Sequence, residues 1–233
     1  MPMPVISIVI PTLNEAISIG SCIDKAHNAL QCLHIPYEII ISDSHSTDAT
    51  VAIAQNKGAH IVYQPLLGYG NAYHKGLAAT QGEIIVIGDA DNTYDFGDIP
   101  KFIQPLLENQ ADLVIGNRLN ATIEKGAMPW THRYIGTPFM TATLNMLFKT
   151  TIKDSNCGLR AFRKAHYEKL QLKSPGWEYA TEMLIQAGKQ NLRILNIDIT
   201  LHCDMYGRKP HLTPWSAAAY SFILLLKKYF SNN

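Results

Sequence analysis

Four carboxylates follow a single apolar run within ten residues of the sequence. The run Ile84–Gly88 leads directly into Asp89 and Asp91, and Asp95 and Asp98 come soon after. Because like charges that share a site repel and raise one pKa, a cation is expected beside Asp89 and Asp91. An Asp-x-Asp pair at a strand end can hold Mg²⁺ or Mn²⁺, whose other ligands come from a diphosphate and water. Asp98, and in part Asp95, are expected instead to cap the helix that follows.

The elements that must position these carboxylates can be read from apolar periodicity. Five short runs are apolar on both faces, which predicts parallel strands covered by helices on both sides. The runs span residues 5–11, 37–42, 59–64, 83–88 and 111–116. Helical periodicity lies between them, at residues 19–33, 47–57, 70–80 and 98–109. The first half therefore predicts a doubly wound α/β layer.

Polar clusters follow four of these five strands. They lie at residues 11–15, 43–48, 89–91 and 116–118. Ligands of such sheets bind outside the carboxyl ends of the strands, so the four clusters predict one binding site. The second half is less regular. It predicts helices at 134–149 and 178–190, a return to the sheet within 154–164, and a strand at 192–199.

Composition limits the class of protein. The 233 residues are 47% apolar, which is enough for one substantial core. Residues 1–120 hold 5 Lys and Arg against 12 Asp and Glu, and residues 121–233 hold 15 against 7. This asymmetry suggests a cation site in the first half and an anionic partner for the second, although an uneven surface would give the same counts. No nucleic-acid partner is expected.

Cysteine usage and the termini predict the compartment. The four cysteines form no CxxC motif, which argues against zinc and favours a reduced, cytoplasmic chain. The N-terminus has no basic segment followed by an apolar core, so no signal peptide is predicted. No window approaches the ~20 apolar residues that span a bilayer. The chain is expected to be soluble or peripheral to a membrane.

The polar clusters belong to longer blocks with a recognisable order. SIVIPTLNEAISI, IIISDSHSTDAT and GYGNAYHKGLAATQGEIIVIGDAD follow one another within residues 5–118 and resemble the family 2 glycosyltransferases, which have the GT-A fold. Downstream, DSNCGLRAFRK, GWEYATEM and RKPHLTPW resemble the branch with dolichyl-phosphate mannose synthases and related polyprenyl-phosphate glycosyltransferases. The resemblance implies one α/β, Rossmann-like GT-A domain over residues 1–213, with a nucleotide-sugar and metal half (1–120) and an acceptor half (121–213).

The resemblance also implies which side chains bind the donor, a nucleotide sugar of the GDP-mannose or UDP-glucose type. Asp89 and Asp91 match the metal-binding pair, Asp43 would read the base, and Arg118 would face the diphosphate. The family often has a Gln two positions after the pair, where this chain has Thr93. The predicted donor-binding residues are Pro11, Thr12, Asn14, Glu15, Asp43, Lys75 and Asp89.

The class of acceptor is predicted from the absence of a complete general-base pair in the second half of the sequence. Many family members have a Glu-Asp pair as general base where this chain has Glu178 followed by Tyr179. A phosphate monoester has a second pKa of about 6, so it can attack without a base and needs cations to hold it. The cationic side chains predicted to hold it are Arg133, Arg160, Arg208, Lys209 and His211. The predicted catalytic residues are Asp91, Arg118, Arg133 and Arg208.

These residues predict a metal-dependent, inverting transfer of a hexose to a polyprenyl, dolichyl-type phosphate. One alternative keeps the fold but uses a hydroxyl acceptor, with Glu178 or Glu182 as the base. A second alternative is a non-catalytic module that only binds a nucleotide sugar.

The C-terminus predicts contact with the membrane that holds such a lipid. Residues 214–233 include an amphipathic stretch with Trp215 near one end and Lys227 and Lys228 near the other. This pattern predicts a helix in the membrane interface and a cytoplasmic, peripherally associated protein. Packing on its own sheet or in a homo-oligomer is the alternative. Residues 139–148 are a second candidate for a lipid-facing surface.

Overall fold

Seven strands form one sheet in a computed structural model that describes residues 3–204 together with Ile223 and Leu225. The strands are β1 (Ile6–Thr12), β2 (Tyr37–Asp43), β3 (His60–Tyr63), β4 (Ile84–Ile87), β5 (Leu113–Asn117), β6 (Arg160–Arg163) and β7 (Ile194–Asp198). Their order across the sheet is β3-β2-β1-β4-β6-β5-β7. β6 is antiparallel to β4 and β5, and the other neighbouring strands are parallel.

Helices cover both faces of this sheet. They are α1 (Ile19–Gln31), α2 (Thr50–Asn56), α3 (Tyr69–Ala78), α4 (Ile99–Leu107), α5 (Thr137–Phe148), α6 (Lys164–Leu170) and α7 (Glu178–Lys189). Helix α1 contacts α2 and α4, whereas α7 contacts α3, α5 and α6, so two separate helical layers enclose the strands. The α/β fold with a mostly parallel sheet is confirmed. The predicted C-terminal helix lies outside the described residues, apart from Ile223 and Leu225.

The core explains why the strand prediction succeeded. In β1, Ile6, Ile8 and Ile10 are fully buried and so is Val9 between them, because both faces of a parallel strand are covered by helices. Gly76 allows α3 to lie close to β1, since a Cβ at this position would come within 2.5 Å of Val9 Cγ1. Within the described residues, no helix is long and apolar enough to cross a membrane.

Parallel pairing gathers the polar clusters at one edge of the sheet. The register places Thr12 opposite Asp43, and β4 and β5 end at the same edge. Three features were not predicted from the sequence: helix α6, the antiparallel position of β6 between β4 and β5, and a π-helical turn at His132–Gly136 before α5.

Asp112 and Arg193 fix the beginnings of the adjacent strands β5 and β7. Asp112 Oδ2 accepts hydrogen bonds from the backbone N–H (2.9 Å) and the Nε–H (3.1 Å) of Arg193, and Oδ1 accepts one from Nη2 (2.8 Å). These hydrogen bonds from Arg193 lower the pKa of Asp112 below its ordinary value. The ionised carboxylate is therefore the form that stabilises the fold.

We expect Asp112→Ala to lower the thermal midpoint at neutral pH, because the variant leaves Arg193 without its carboxylate. A carboxylate with a lowered folded-state pKa stabilises above its unfolded pKa, and that stabilisation is lost as the pH falls through the folded value. The midpoints of variant and wild type should therefore converge in acid, as followed by circular dichroism. Asp24→Ala is the control, because Asp24 pairs with Lys57 at an exposed position. Equal midpoints at neutral pH would contradict this assignment.

Candidate functional site

The loops after β1 and β2 are tied together by side-chain hydrogen bonds. Asn14 Oδ1 accepts from the Thr47 N–H (2.8 Å), and the Asn14 N–H donates to Ser46 Oγ (2.8 Å). The Glu15 N–H donates to Thr50 Oγ1 (2.7 Å). Asn14 and His45 adopt positive φ angles of 59° and 64°, so both loops turn sharply at the sheet edge. The predicted donor residues of these loops thus lie together.

Asp43 connects these two loops. Its Oδ1 accepts from Thr12 Oγ1 (3.0 Å) and Ser46 Oγ (2.5 Å), and its Oδ2 accepts from the Ser46 N–H (2.9 Å). The residue is only 1% exposed. The contact of Asp43 with the nucleotide base stays a prediction. The structure adds a second role that the sequence did not reveal, which is to hold the loops after β1 and β2 together.

Asp89 lies at the end of β4, partly buried between two close neighbours. Its Oδ1 accepts a hydrogen bond from Tyr69 Oη (2.9 Å), and its Oδ2 lies against Gly158, where a Cβ would collide with it. Burial, and next the charge of Asp91, raise the pKa of Asp89 from its ordinary value to about 7. The Tyr69 hydrogen bond and the charges of Arg160 and Arg118 act in the opposite direction. The carboxylate is therefore held in place but short of positive charge.

Asp91 has one oxygen bonded within the chain. Its Oδ1 accepts from the N–H (3.0 Å) and Oγ1 (2.7 Å) of Thr93, and no hydrogen bond from a described residue reaches its Oδ2. As expected, Asp95 caps the following turn, with its Oδ1 accepting from the Gly97 N–H (2.9 Å). Asp98 occupies the N-cap position of α4, but its side chain makes no capping hydrogen bond and pairs with Lys101 (2.6 Å) instead. Asp89 is thus the carboxylate of this segment that makes no such local contact, and Asp91 keeps one oxygen without a hydrogen bond from a described residue.

The two aspartates fit a hard divalent cation. Carboxylate oxygens suit Mg²⁺ and Mn²⁺, and a cation there would offset the repulsion that raises the pKa of Asp89. In the described part of the chain, no group of three or more His, Cys, Asp or Glu side chains could hold a metal. Two carboxylates would therefore need ligands from a bound diphosphate or from water.

His202 is a neighbour of this site that the sequence did not single out. Its backbone N–H donates to the Thr93 carbonyl (2.9 Å), two residues beyond Asp91, and its Nδ1 lies 2.8 Å from Glu124 Oε1. His202 thus connects the segment after β7 to the loop that follows Asp91 through its backbone, and its imidazole contacts Glu124. His202 lies near this loop because the chain turns back to the sheet edge after β7. No motif in the sequence predicted this contact.

Arg118, directly after β5, forms a bidentate ion pair with Asp154. Its Nε and Nη2 donate to Asp154 Oδ2 (2.6 Å) and Oδ1 (2.9 Å). Burial by itself lowers the pKa of Arg118, whereas Tyr94 and Asp154 raise it, and the net shift is upward. The guanidinium is thus permanently charged and held in one orientation. Its predicted contact with a diphosphate stays a prediction.

The predicted contact of Arg160 with an acceptor is wrong. Arg160 is 1% exposed, and its guanidinium donates to the backbone carbonyls of Cys157 (2.9 Å), Ala180 (2.7 Å) and Ser155 (3.1 Å). These bonds join β6 to α7 and hold the guanidinium in the interior of the fold. The residue instead places a buried positive charge behind Asp89.

Of the remaining cationic side chains that were predicted to bind a ligand, the structure describes two. Arg133 lies half-buried in the π-helical turn, with its guanidinium 5.3 Å from the Tyr134 ring centre, and forms no ion pair with a described residue. Lys75 is exposed on α3. The predicted sites at Arg208, Lys209 and His211 lie outside the described residues.

An aromatic cluster behind Asp89 was missed at the sequence level. Tyr69 stacks on Trp177 with ring centres 4.5 Å apart, and Tyr73 stacks on Tyr179 at 5.3 Å. The two tyrosines of α3 are four residues apart, a helical spacing that placed them on one face but did not reveal their partners. The cluster joins α3 to the beginning of α7 and so supports the Tyr69 hydroxyl.

The two candidate bases of the hydroxyl-acceptor alternative have structural partners. Glu182 is buried, and its Oε2 accepts from the backbone N–H groups of Lys173 (2.9 Å) and Ser174 (2.8 Å). Glu178 Oε1 accepts from the Gly176 N–H (3.2 Å) at the beginning of α7. Glu182 therefore fixes the loop before α7, and of the two only Glu178 is partly accessible.

Comparison with known proteins identifies a family. The model for glycosyl transferase family 2 matches residues 7–171. The low-salt glycan biosynthesis hexosyltransferase Agl6 of Haloferax volcanii is 38% identical over 199 residues, which are 85% of this chain but 48% of Agl6. The chain thus spans about half the length of that relative. An uncharacterized glycosyltransferase of Mycobacterium tuberculosis is 30% identical over 195 residues, 84% of each chain.

Solved structures show the same fold. Glucosyl-3-phosphoglycerate synthase from Mycobacterium tuberculosis, in complex with Mn²⁺, UDP and phosphoglyceric acid, superposes with a TM-score of 0.75 at 24% identity. The match covers 98% of this chain and 78% of the synthase. This similarity confirms the GT-A fold.

The contact between Gly158 and Asp89 can be tested by adding one methyl group. We expect Gly158→Ala to displace the Asp89 carboxylate and to weaken Mn²⁺-dependent binding of UDP or GDP by about tenfold or more, the loss of one charge-assisted contact. Isothermal titration calorimetry measures the binding. Gly136→Ala is the control, because the nearest atom to its Cβ would be 3.7 Å away. Unchanged nucleotide binding by a folded Gly158→Ala variant would refute the positioning role of Gly158.

Proposed function

Because the chain belongs to glycosyl transferase family 2 and is a glycosyltransferase, we propose that it moves a hexose from a nucleotide sugar to a polyprenyl phosphate, inverting the sugar carbon. The observation that carries this proposal is the Asp89–Asp91 pair at the end of β4. This pair lies at the same edge of the sheet as the fixed guanidinium of Arg118. The family assignment favours this activity over a module that only binds a nucleotide sugar.

The donor is proposed to be a nucleotide sugar of the GDP-mannose or UDP-glucose type. The name of Agl6, a hexosyltransferase, supports a hexose, and the complexes of glucosyl-3-phosphoglycerate synthase with UDP support a nucleoside diphosphate. In this chain, the connected loops after β1 and β2 would hold the base and ribose. Their lining residues are Pro11, Thr12, Asn14, Glu15 and Asp43, with Lys75 on α3 as a further contact.

Asp89 and Asp91 would hold Mg²⁺ or Mn²⁺, and the other ligands of the cation would come from the diphosphate and from water. When bound, such a cation neutralises the diphosphate leaving group. The synthase structures contain Mn²⁺ or Mg²⁺, which supports the same choice here. Arg118 would supply a second positive charge to the departing phosphate, and Asp154 would keep its guanidinium oriented.

The chemistry is one displacement at the anomeric carbon. A phosphate oxygen of the acceptor forms a bond to that carbon as the bond to the nucleoside diphosphate breaks, and the electron pair leaves with the diphosphate. The acceptor is largely a dianion at neutral pH, so no proton has to be removed. Arg133, whose guanidinium has no acidic partner among the described residues, would hold the acceptor phosphate. Arg208, Lys209 and His211 are further candidates from the sequence.

The structural roles of the two glutamates bear on the hydroxyl-acceptor alternative. Glu182 is committed to the backbone of the loop before α7, so it is a poor candidate for a base. Glu178 remains the candidate base for a hydroxyl acceptor. A lipid acceptor further implies that the enzyme works at a membrane surface, with residues 214–233 proposed as one contact and the cytoplasm as its compartment.

The donor and its metal can be identified by thermal shift. We expect one nucleotide sugar with Mn²⁺ to raise the melting temperature of the wild type, because a ligand at 100 times its Kd stabilises by about 2.7 kcal/mol. Asp91→Ala should remove the metal-dependent part of this shift and abolish transfer, whereas Asp24→Ala should behave as the wild type. Full transfer in the presence of EDTA would contradict the metal assignment.

The class of acceptor can be decided by comparing Arg133 with Glu178. We expect Arg133→Ala to lower kcat/KM for a prenyl phosphate about ten- to a hundredfold, because a charge-assisted hydrogen bond of ~1.5–3 kcal/mol is lost. Glu178→Gln should retain most of its turnover, since a phosphate acceptor needs no base. Lys153→Ala is the charge control, because Lys153 is exposed. A collapsed rate in Glu178→Gln with only a mild effect of Arg133→Ala would favour a hydroxyl acceptor.

A further inference from the structure

One short loop in the connection between α5 and β6 contacts two of the charged groups of the proposed donor site. It consists of residues 154–158 and is called the 154–158 loop. Its first residue, Asp154, accepts hydrogen bonds from the Arg118 guanidinium at 2.6 and 2.9 Å. Its last residue, Gly158, lies against Asp89, where a Cβ would come within 2.4 Å of Oδ2. The loop is neither helix nor strand, so other hydrogen bonds must fix its conformation.

The buried guanidinium of Arg160 supplies two of these hydrogen bonds. Its Nε donates to the Cys157 carbonyl (2.9 Å) and its Nη2 to the Ser155 carbonyl (3.1 Å), so two carbonyls of the loop point inward at one planar group. Its Nη1 donates to the Ala180 carbonyl of α7 (2.7 Å), which fixes the guanidinium itself. A planar fork of N–H groups can bond in these directions at once, and the single ammonium of a lysine cannot.

Tyr94 holds the other end of the loop. Its hydroxyl oxygen accepts a hydrogen bond from the Gly158 N–H (2.9 Å), and the residue is only 4% exposed. Because Tyr94 follows Asp91 by three residues, this bond joins the end of the 154–158 loop to the segment that carries both carboxylates of the proposed metal site.

We propose that Arg160 and Tyr94 are positioning residues of the donor site. By fixing the 154–158 loop, they set the place at which Asp154 holds Arg118 and at which Gly158 meets Asp89. One buried guanidinium thus orients two charged groups to which it is not hydrogen-bonded. The inference rests on the proposed function, in which Asp89 binds the metal and Arg118 faces the diphosphate.

A role of Arg160 in packing alone would have different consequences. Arg160 also joins β6 to α7, so its loss is expected to lower stability in either case. Arg163, on the same strand, is the matched comparison. Its guanidinium donates to the Leu106 carbonyl of α4, and its backbone pairs with Ile84 at the beginning of β4, the end opposite to Asp89. Loss of Arg163 should therefore affect stability and leave the site unchanged.

The first test follows Arg118 in the full chain without any ligand. The side chain of Arg118 is 11% exposed and its Nε–H donates to Asp154, so its ¹H–¹⁵N signal should exchange slowly with water. Loss of the signal in Arg118→Lys assigns it. We expect exchange to be about tenfold faster in Arg160→Lys and about threefold faster in Tyr94→Phe, because the loop loses hydrogen bonds that restrain Asp154. Arg163→Lys should match the wild type.

The second test measures the binding of UDP and of GDP by isothermal titration calorimetry, with and without Mn²⁺. We expect Arg160→Lys to weaken binding about tenfold or more with Mn²⁺ and also to weaken it without Mn²⁺, because Asp89 and Arg118 are both displaced. Tyr94→Phe should weaken chiefly the Mn²⁺-dependent part, about three- to tenfold. Tyr37→Phe is the control for the loss of a hydroxyl, because Tyr37 Oη lies 2.8 Å from His27 Nδ1 on α1.

The results separate this inference from the proposed function. Unchanged exchange of the Arg118 Nε–H in both variants would overturn the positioning role, whichever nucleotide the protein binds. Lower melting temperatures with unchanged exchange and unchanged nucleotide binding would assign both residues to packing alone. If Arg160→Lys does not fold, Tyr94→Phe decides the question, since it removes a single oxygen atom. Failure of the wild type to bind UDP or GDP with Mn²⁺ would refute the proposed donor and leave the exchange result standing.

Discussion

The concentration of negative charge at Asp89 and Asp91 is the constraint around which the site is arranged. Both carboxylates follow a fully buried strand, and their mutual repulsion and partial burial make the doubly ionised state unfavourable without a cation. The protein restrains this charge and does not fully neutralise it. Tyr69 holds one oxygen, Gly158 leaves room for the other, and the nearest guanidinium groups are committed elsewhere.

The restraint depends on elements that are far apart in the sequence. Tyr69 comes from α3 and is supported by Trp177 before α7, whereas Gly158 comes from the segment before β6. The antiparallel position of β6 between β4 and β5 brings this segment to the end of β4. A substitution in the loop before α7 could therefore change the position of the Asp89 carboxylate, even where the substituted residue itself contacts no ligand.

The acidic first half and the basic second half of the sequence meet at this edge. The ion pair between Arg118 and Asp154 connects the two halves of the sequence. Ser155, which follows Asp154, is hydrogen-bonded to α5. Helix α5 belongs to the second half and continues the helical stretch that bears Arg133 and exposed apolar side chains. Under the proposed function, carboxylates and a metal would hold the donor and arginines would hold the acceptor. The uneven charge counts along the chain would then correspond to these two roles.

The sequence by itself determined the strands, most of the helices and the edge at which the site lies, because apolar residues on both faces of a strand and polar residues at its end are local patterns. It also determined the Asp89–Asp91 pair and the local cap at Asp95. Only the tertiary structure decided which charged side chains are available. Arg160 and Glu182 look like ligands or bases in the sequence, yet both are buried and bonded to backbone, while Tyr69 and Gly158 contact Asp89. The reason is that burial and hydrogen-bond partners depend on contacts between distant segments, which no local pattern of residues contains.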